Sequence, residues 1–155
     1  MCALSVVACR KEAAPPPKAQ SAEAPVVAAP SNACPADGKW SECSVIYRLE
    51  RAGLAPKVDS GGKPSEKELG GVPMMMKIGM SAELEVHLFP DSVARAAAVA
   101  KLDRTQFVNG TAQQTIRRER TLIESVNLVG LLTSINAHQR ERVSDALTAG
   151  PPQPP

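Results

Sequence analysis

The chain has 155 residues, 43% of them apolar, and a formal net charge of +2, which leaves room for one modest domain with an adequate core. Arg117, Arg118 and Arg120 form the densest basic patch, but Glu119 interrupts it and no aromatic residue lies among them, so no nucleic-acid partner is expected. No apolar run approaches the ~18 residues of a membrane-spanning helix. The 14 prolines are about twice the usual share of roughly 5%. Most lie before residue 36 or after residue 150, which predicts a folded middle between disordered ends. With only Trp40, Tyr47, Phe89 and Phe107 as aromatics, the core must be aliphatic.

In chain order, Cys2 to Ala8 forms the end of an apolar segment, and Arg10, Lys11 and Glu12 follow abruptly. Secretory signals carry a basic n-region, an apolar stretch of about 7–15 residues and small residues at the cut. The tetrad Val6-Val7-Ala8-Cys9 resembles the lipobox of bacterial lipoproteins, in which the cysteine takes a thioether-linked diacylglycerol before cleavage in front of it. That resemblance implies lipidation at Cys9, with residues 1–8 a remnant of a signal peptide whose start lies upstream. It also implies a place in the bacterial cell envelope, anchored to a membrane and facing the periplasm or exterior; the alternative is a cytoplasmic protein without lipid. Residues 9–33 are dominated by Ala and Pro and read as a semi-extended tether of polyproline II character. A single acyl chain binds a bilayer only marginally, so the several chains of a lipoprotein are what would hold such a tether firmly.

Cys34 and Cys43 flank PADGKWSE, in which Pro35, Asp37 and Gly38 favour a turn. In an oxidising compartment a disulfide between them is expected; two free thiols, or half of a zinc site, are the alternatives. The head domain is expected to span residues 34–150, with residues 151–155 a tail. Ser41 should cap a helix carrying Val45, Ile46, Leu49 and Ala52 on one stripe, ended by Gly53. A short strand over 54–59, restricted by Pro56 to an edge or start, leads into residues 61–71, which have glycines at both ends and read as a mobile surface loop.

Residues 74–79 and 82–89 form the clearest hairpin. In its second strand Leu84, Val86 and Leu88 alternate with Glu83, Glu85 and His87, predicting one buried face and one wet face. Asp91 caps an Ala-rich helix over 92–103. Around Asn109-Gly110 the polarity suggests a turn and then an exposed strand. Residues 121–125 and 127–134 read as strands, the second apolar enough for a central position. A capping-box pattern at Asn136 and Gln139 opens the last helix, whose stripe is Val143, Ala146 and Leu147, and Gly150-Pro151 stops it. The order is α-β-ββ-α-β-β-α: an α+β fold with a mainly antiparallel sheet of about five strands and three helices packed on one face. The stretch GVPMMMKIGMSAELEVHLFPDSVARAAAVAKLD resembles a segment in small uncharacterised bacterial lipoproteins, and implies an anchored head domain without implying an activity.

Candidate chemistry is sparse. The sequence contains no nucleophile elbow, P-loop, dinucleotide fingerprint or zinc-protease helix, so neither a catalytic residue nor a cofactor is expected. Glu83 and Glu85 share a strand face about 7 Å apart, where an exposed surface would not separate their acidities. Met74 and Met76, with His87, are weak candidates for a soft metal such as Cu(I), against the commoner roles of core filling and a solvated polar face. The expected function is an envelope lipoprotein whose head binds a protein or small-molecule ligand. Alternatives are a soluble structural or accessory protein, and a Met/His metal-handling domain.

Overall fold

A computed structural model describes residues 34–108 and 118–152. Cys9, the tether, the Asn109-Gly110 turn and residues 153–155 lie outside the described residues. Helix α1 (Glu42–Arg51) opens on a reciprocal cap: the Ser41 hydroxyl accepts from the Ser44 N–H, and the Ser44 hydroxyl accepts from the Ser41 N–H. Gly53, at φ +69°, closes it; the Gly53 and Leu54 amides return to the carbonyls of Glu50 and Leu49. The strands are β1 (Pro56–Val58), β2 (Val72–Ile78), β3 (Ala82–Leu88), β4 (Glu119–Ser125) and β5 (Leu128–Ser134), with α2 (Ser92–Val99) after β3 and α3 (Ala137–Thr148) after β5. They form one antiparallel sheet in the order β1-β2-β3-β5-β4, giving the α+β architecture and element order expected from the sequence.

One detail of that expectation is overturned: the helices do not share a face. Val45 and Leu49 of α1 and Val143 and Leu147 of α3 pack on Met76, Ile78, Leu84 and Leu132, forming the first core. Ala98 and Val99 of α2 pack with Leu69, Phe89, Val129 and Leu131 on the opposite side. Topology supplies the reason. β5 lies between β3 and β4, so the chain leaving β3 must cross over the sheet to reach β4, and α2 makes that crossing. β5 shows the consequence in its composition: Leu128, Val129, Leu131 and Leu132 are all buried, as in a strand covered on both sides.

Smaller differences are local. Asp91 caps α2 through the Ala94 N–H at 2.8 Å, but the helix ends at Val99 rather than near residue 103, and Arg104–Gln106 form a single 3₁₀ turn. Asn136 accepts from the Gln139 N–H, yet the Gln139 side chain does not complete a capping box. Its amide donates to the Ile78 carbonyl at 2.9 Å and so ties α3 to β2. Helices α1 and α3 also exchange caps: Arg48 donates to the Gly150 carbonyl at 2.7 Å, and Arg142 donates to the Ala52 carbonyl.

Cys34 and Cys43 form the expected disulfide, with Cα atoms 5.5 Å apart. The loop it closes delivers buried Trp40, whose indole N–H donates to the Ser125 hydroxyl at 3.1 Å. Asn127, in the β4–β5 turn, accepts from the Trp40 amide at 2.7 Å and donates to the carbonyls of Trp40 and Phe89. Three segments distant in sequence are thereby joined by one side chain. Asn127→Ala is expected to cost about 3 kcal/mol by leaving buried backbone groups unpaired, read as a lower urea midpoint at unchanged slope.

Candidate functional site

The most concentrated polar chemistry among the described residues lies on the α2 side of the sheet. Residues 61–71, expected to be a mobile loop, fold back over this face as a strap. Glycine permits the close approach. A Cβ on Gly62 would stand 2.6 Å from the Met75 Cβ, and one on Gly71, at φ +73°, 2.9 Å from the Leu88 carbonyl oxygen. Asp59 starts the strap, accepting from the Gly61 N–H and pairing with Lys77 at 3.0 Å. Those bonds, that from Lys77 foremost, hold the Asp59 carboxyl below its usual value. Leu69, near the far end, is buried in the second core.

Between these ends the strap is fastened to β3. The Ser65 amide and hydroxyl both donate to Glu85 Oε2, at 2.8 and 2.6 Å. The Glu66 amide approaches Oε1 at 3.5 Å. His87 Nε2 lies 2.6 Å from the same Oε1, and His87 Nδ1 lies 2.6 Å from the Gly70 carbonyl oxygen. A third strand contributes: Arg120 of β4 donates to the Ser65 hydroxyl at 3.0 Å and to Glu66 at 2.9 Å, while its guanidinium stacks 4.9 Å from the Phe107 ring centroid.

Glu85 and His87 are 3% and 2% exposed, which corrects the wet-face reading. Period-2 alternation assigns side chains to opposite faces; it does not say whether the polar face meets water or a covering segment. Glu83, on the same face, stays exposed and pairs with Arg118 at 3.2 Å. Burial alone would push the Glu85 carboxyl up. The hydrogen bonds from His87 and from the Ser65 hydroxyl and amide, with the His87 charge, outweigh it and bring the carboxyl down to about 2.

This arrangement is a fastening rather than a nucleophile with its base. Ser65 bonds to the carboxylate and not to the imidazole, so the relay that activates a serine is absent here. A carboxylate this weakly basic is poorly matched to removing a hydroxyl proton near neutral pH. Met74 and Met76 are not brought to His87: both fill the first core, whereas His87 lies on the other face of the sheet. Among the described residues no group of three or more His, Cys, Asp or Glu side chains gathers as a metal site. His138 is exposed in the first turn of α3, with Glu141 at 3.6 Å. Beside the strap, Leu69, Ala98, Lys101, Leu102, Gln106 and Phe107 line much of a cavity of 390 Å³, which Ser65 and Glu66 of the strap also border.

No protein-family model, curated protein or solved structure matches the chain. The sequence signals that could have revealed the strap are its paired glycines, together with a carboxylate and a histidine two positions apart on one strand face.

Because folding lowers the Glu85 carboxyl from 4.5 to about 2, its stabilisation is fully present above the first value and is lost as pH falls through the second. Urea titrations across this acid range should show that loss. Glu85→Gln is expected to cost about 3 kcal/mol near neutral pH, where it takes a charged acceptor from the Ser65 amide and hydroxyl, and to flatten this part of the acid dependence.

Proposed function

We propose that the protein is a lipid-anchored component of a bacterial cell envelope whose α+β head is a binding or interaction module rather than a catalyst. The observation that carries this reading is Val6-Val7-Ala8-Cys9, followed immediately by a charged and then Ala/Pro-rich stretch. The lipobox likeness supplies an acceptor thiol, and the proline-rich composition after it suits a spacer between bilayer and head. The Cys34–Cys43 disulfide supports an envelope location, since such bonds persist where the medium is oxidising. For the head, the 390 Å³ cavity beside the strap supports ligand or partner binding. Its lining mixes apolar Leu69, Leu102 and Phe107 with charges of both signs, Glu66, Glu68 and Asp103 beside Lys67 and Lys101, so a small amphipathic ligand suits it.

Metabolic labelling with a fatty-acid probe tests the anchor. Label on the wild type that disappears in Cys9→Ser, with the variant released from the membrane fraction, is the expected result. A mature chain that carries no acyl mass while retaining Met1 supports instead a soluble protein without lipid. Mass measurement of the unreduced protein is expected to show Cys34 and Cys43 bridged; two alkylatable thiols would remove the support the disulfide lends.

A further inference from the structure

We propose that His87 and Glu85 form a pH-sensitive latch that holds the strap closed over the sheet when both are charged and releases it as the imidazole loses its proton. The evidence is the pair of groups the ring faces. A carbonyl oxygen can only accept, and an ionised carboxylate can only accept. His87 has one of each at 2.6 Å, the Gly70 carbonyl at Nδ1 and Glu85 Oε1 at Nε2. Both contacts are hydrogen bonds only when both ring nitrogens carry protons. A neutral ring keeps one bond and sets a lone pair against an oxygen at the other.

The surroundings favour this charge state and confine its effect to the strap. From β3 the charged neighbour is Glu85 itself. From the strap come the Ser65 and Glu66 amides, which bond Glu85, and the Glu66 carboxylate, which is engaged by Arg120 of β4. On β2 the residues opposite are Pro73 and Met75, and Lys77 further along is paired with Asp59. On β5 they are Val129 and Leu131, and α2 contributes Ala98, Val99 and half-buried Ala94 to this core. α2 also carries Arg95, half-buried one turn before Ala98 and Val99, and it is the one cation that α2 brings toward this face. Gly70, one of the two points bonded to the ring, follows buried Leu69, so loss of this bond frees the segment that closes the second core and borders the cavity.

The sign follows from the partners. Both acceptors are satisfied only while the ring carries two protons, so its hold on the strap weakens when one is removed. Glu85 sets the opposite limit, protonating only as pH falls toward about 2. The strap is therefore held most firmly while the ring is charged and Glu85 is ionised, and histidine is the side chain suited to change charge near physiological pH.

The test follows the His87 ring nitrogens by NMR in the full chain across about pH 5 to 10, together with hydrogen-exchange protection of the Ser65, Leu69 and Gly70 amides corrected for intrinsic rates. The latch predicts a fall in strap protection of at least ~10-fold sharing the midpoint of the ring, while β5 amides keep theirs. His87→Gln, which has no proton to lose in this range, should show no such step. A ring that does not change protonation across the range, strap protection that is flat through the ring's titration, or a step that persists in His87→Gln would each overturn the proposal. Should the variant not fold, the two wild-type curves alone decide it.

Discussion

A sheet covered on both faces must take its polar side chains inside together with their partners, and here that requirement falls on one carboxylate and one imidazole. Glu85 and His87 stand on the middle strand of the sheet, where an unpaired charge would be prohibitive to bury. Each has therefore been matched to groups outside its own strand: the Ser65 hydroxyl and amide, the Glu66 amide and the Gly70 carbonyl. The strap is the source of all four. Without it the second face would present a half-hydrated carboxylate and imidazole beside Val129 and Leu131; with it, that face becomes a small closed core. The strap's position in turn makes one wall of the cavity beside α2, so the fastening also shapes that concavity.

The first core is simpler and more autonomous. Aliphatic side chains from α1, α3 and the four longer strands fill it, and the two helices are tied by exchanged arginine caps and by Gln139 on β2. The disulfide and Asn127 act at its margin, where the chain first enters the domain. Together they fix Trp40 against the β4–β5 turn, so this entry is held covalently as well as by packing. The turn has a conformational cost, since Val126 sits at φ +49°, a region that β-branched residues disfavour. The three side-chain bonds of Asn127, which that turn positions, offset it.

Much of the architecture was legible in the sequence because local signals and tertiary requirements agree. Ser41, Gly53, Asp91 and Asn136 each mark a helix boundary through a bond made within a few residues. The β2–β3 hairpin follows from alternation and a tight turn. The pairing of Cys34 with Cys43 follows from their short separation. What was not legible depends on segments that meet only in the folded chain. Placing α2 opposite α1 and α3 requires knowing that β5 inserts between β3 and β4. The burial of Glu85 and His87 requires knowing that residues 61–71 return to the sheet, and paired glycines look the same in a free loop as in one pressed against backbone. Methionines 74 and 76 carry the same ambiguity, resolved here in favour of the first core. The anchor at Cys9 is a matter of sequence likeness and lies outside what the packing of the head bears on.

The account depends on the strap being an integral layer of the domain, and limited proteolysis addresses that most directly. Lys67 is exposed at the middle of the strap, so trypsin would cut after it at once if the segment moved freely. On the acid side of the His87 transition, where the latch is closed, cleavage there should proceed no faster than loss of the β5 hydrogen bonds, rising only as the whole head unfolds in urea. Rapid cutting after Lys67 under those conditions, in a head whose sheet remains intact, would contradict it.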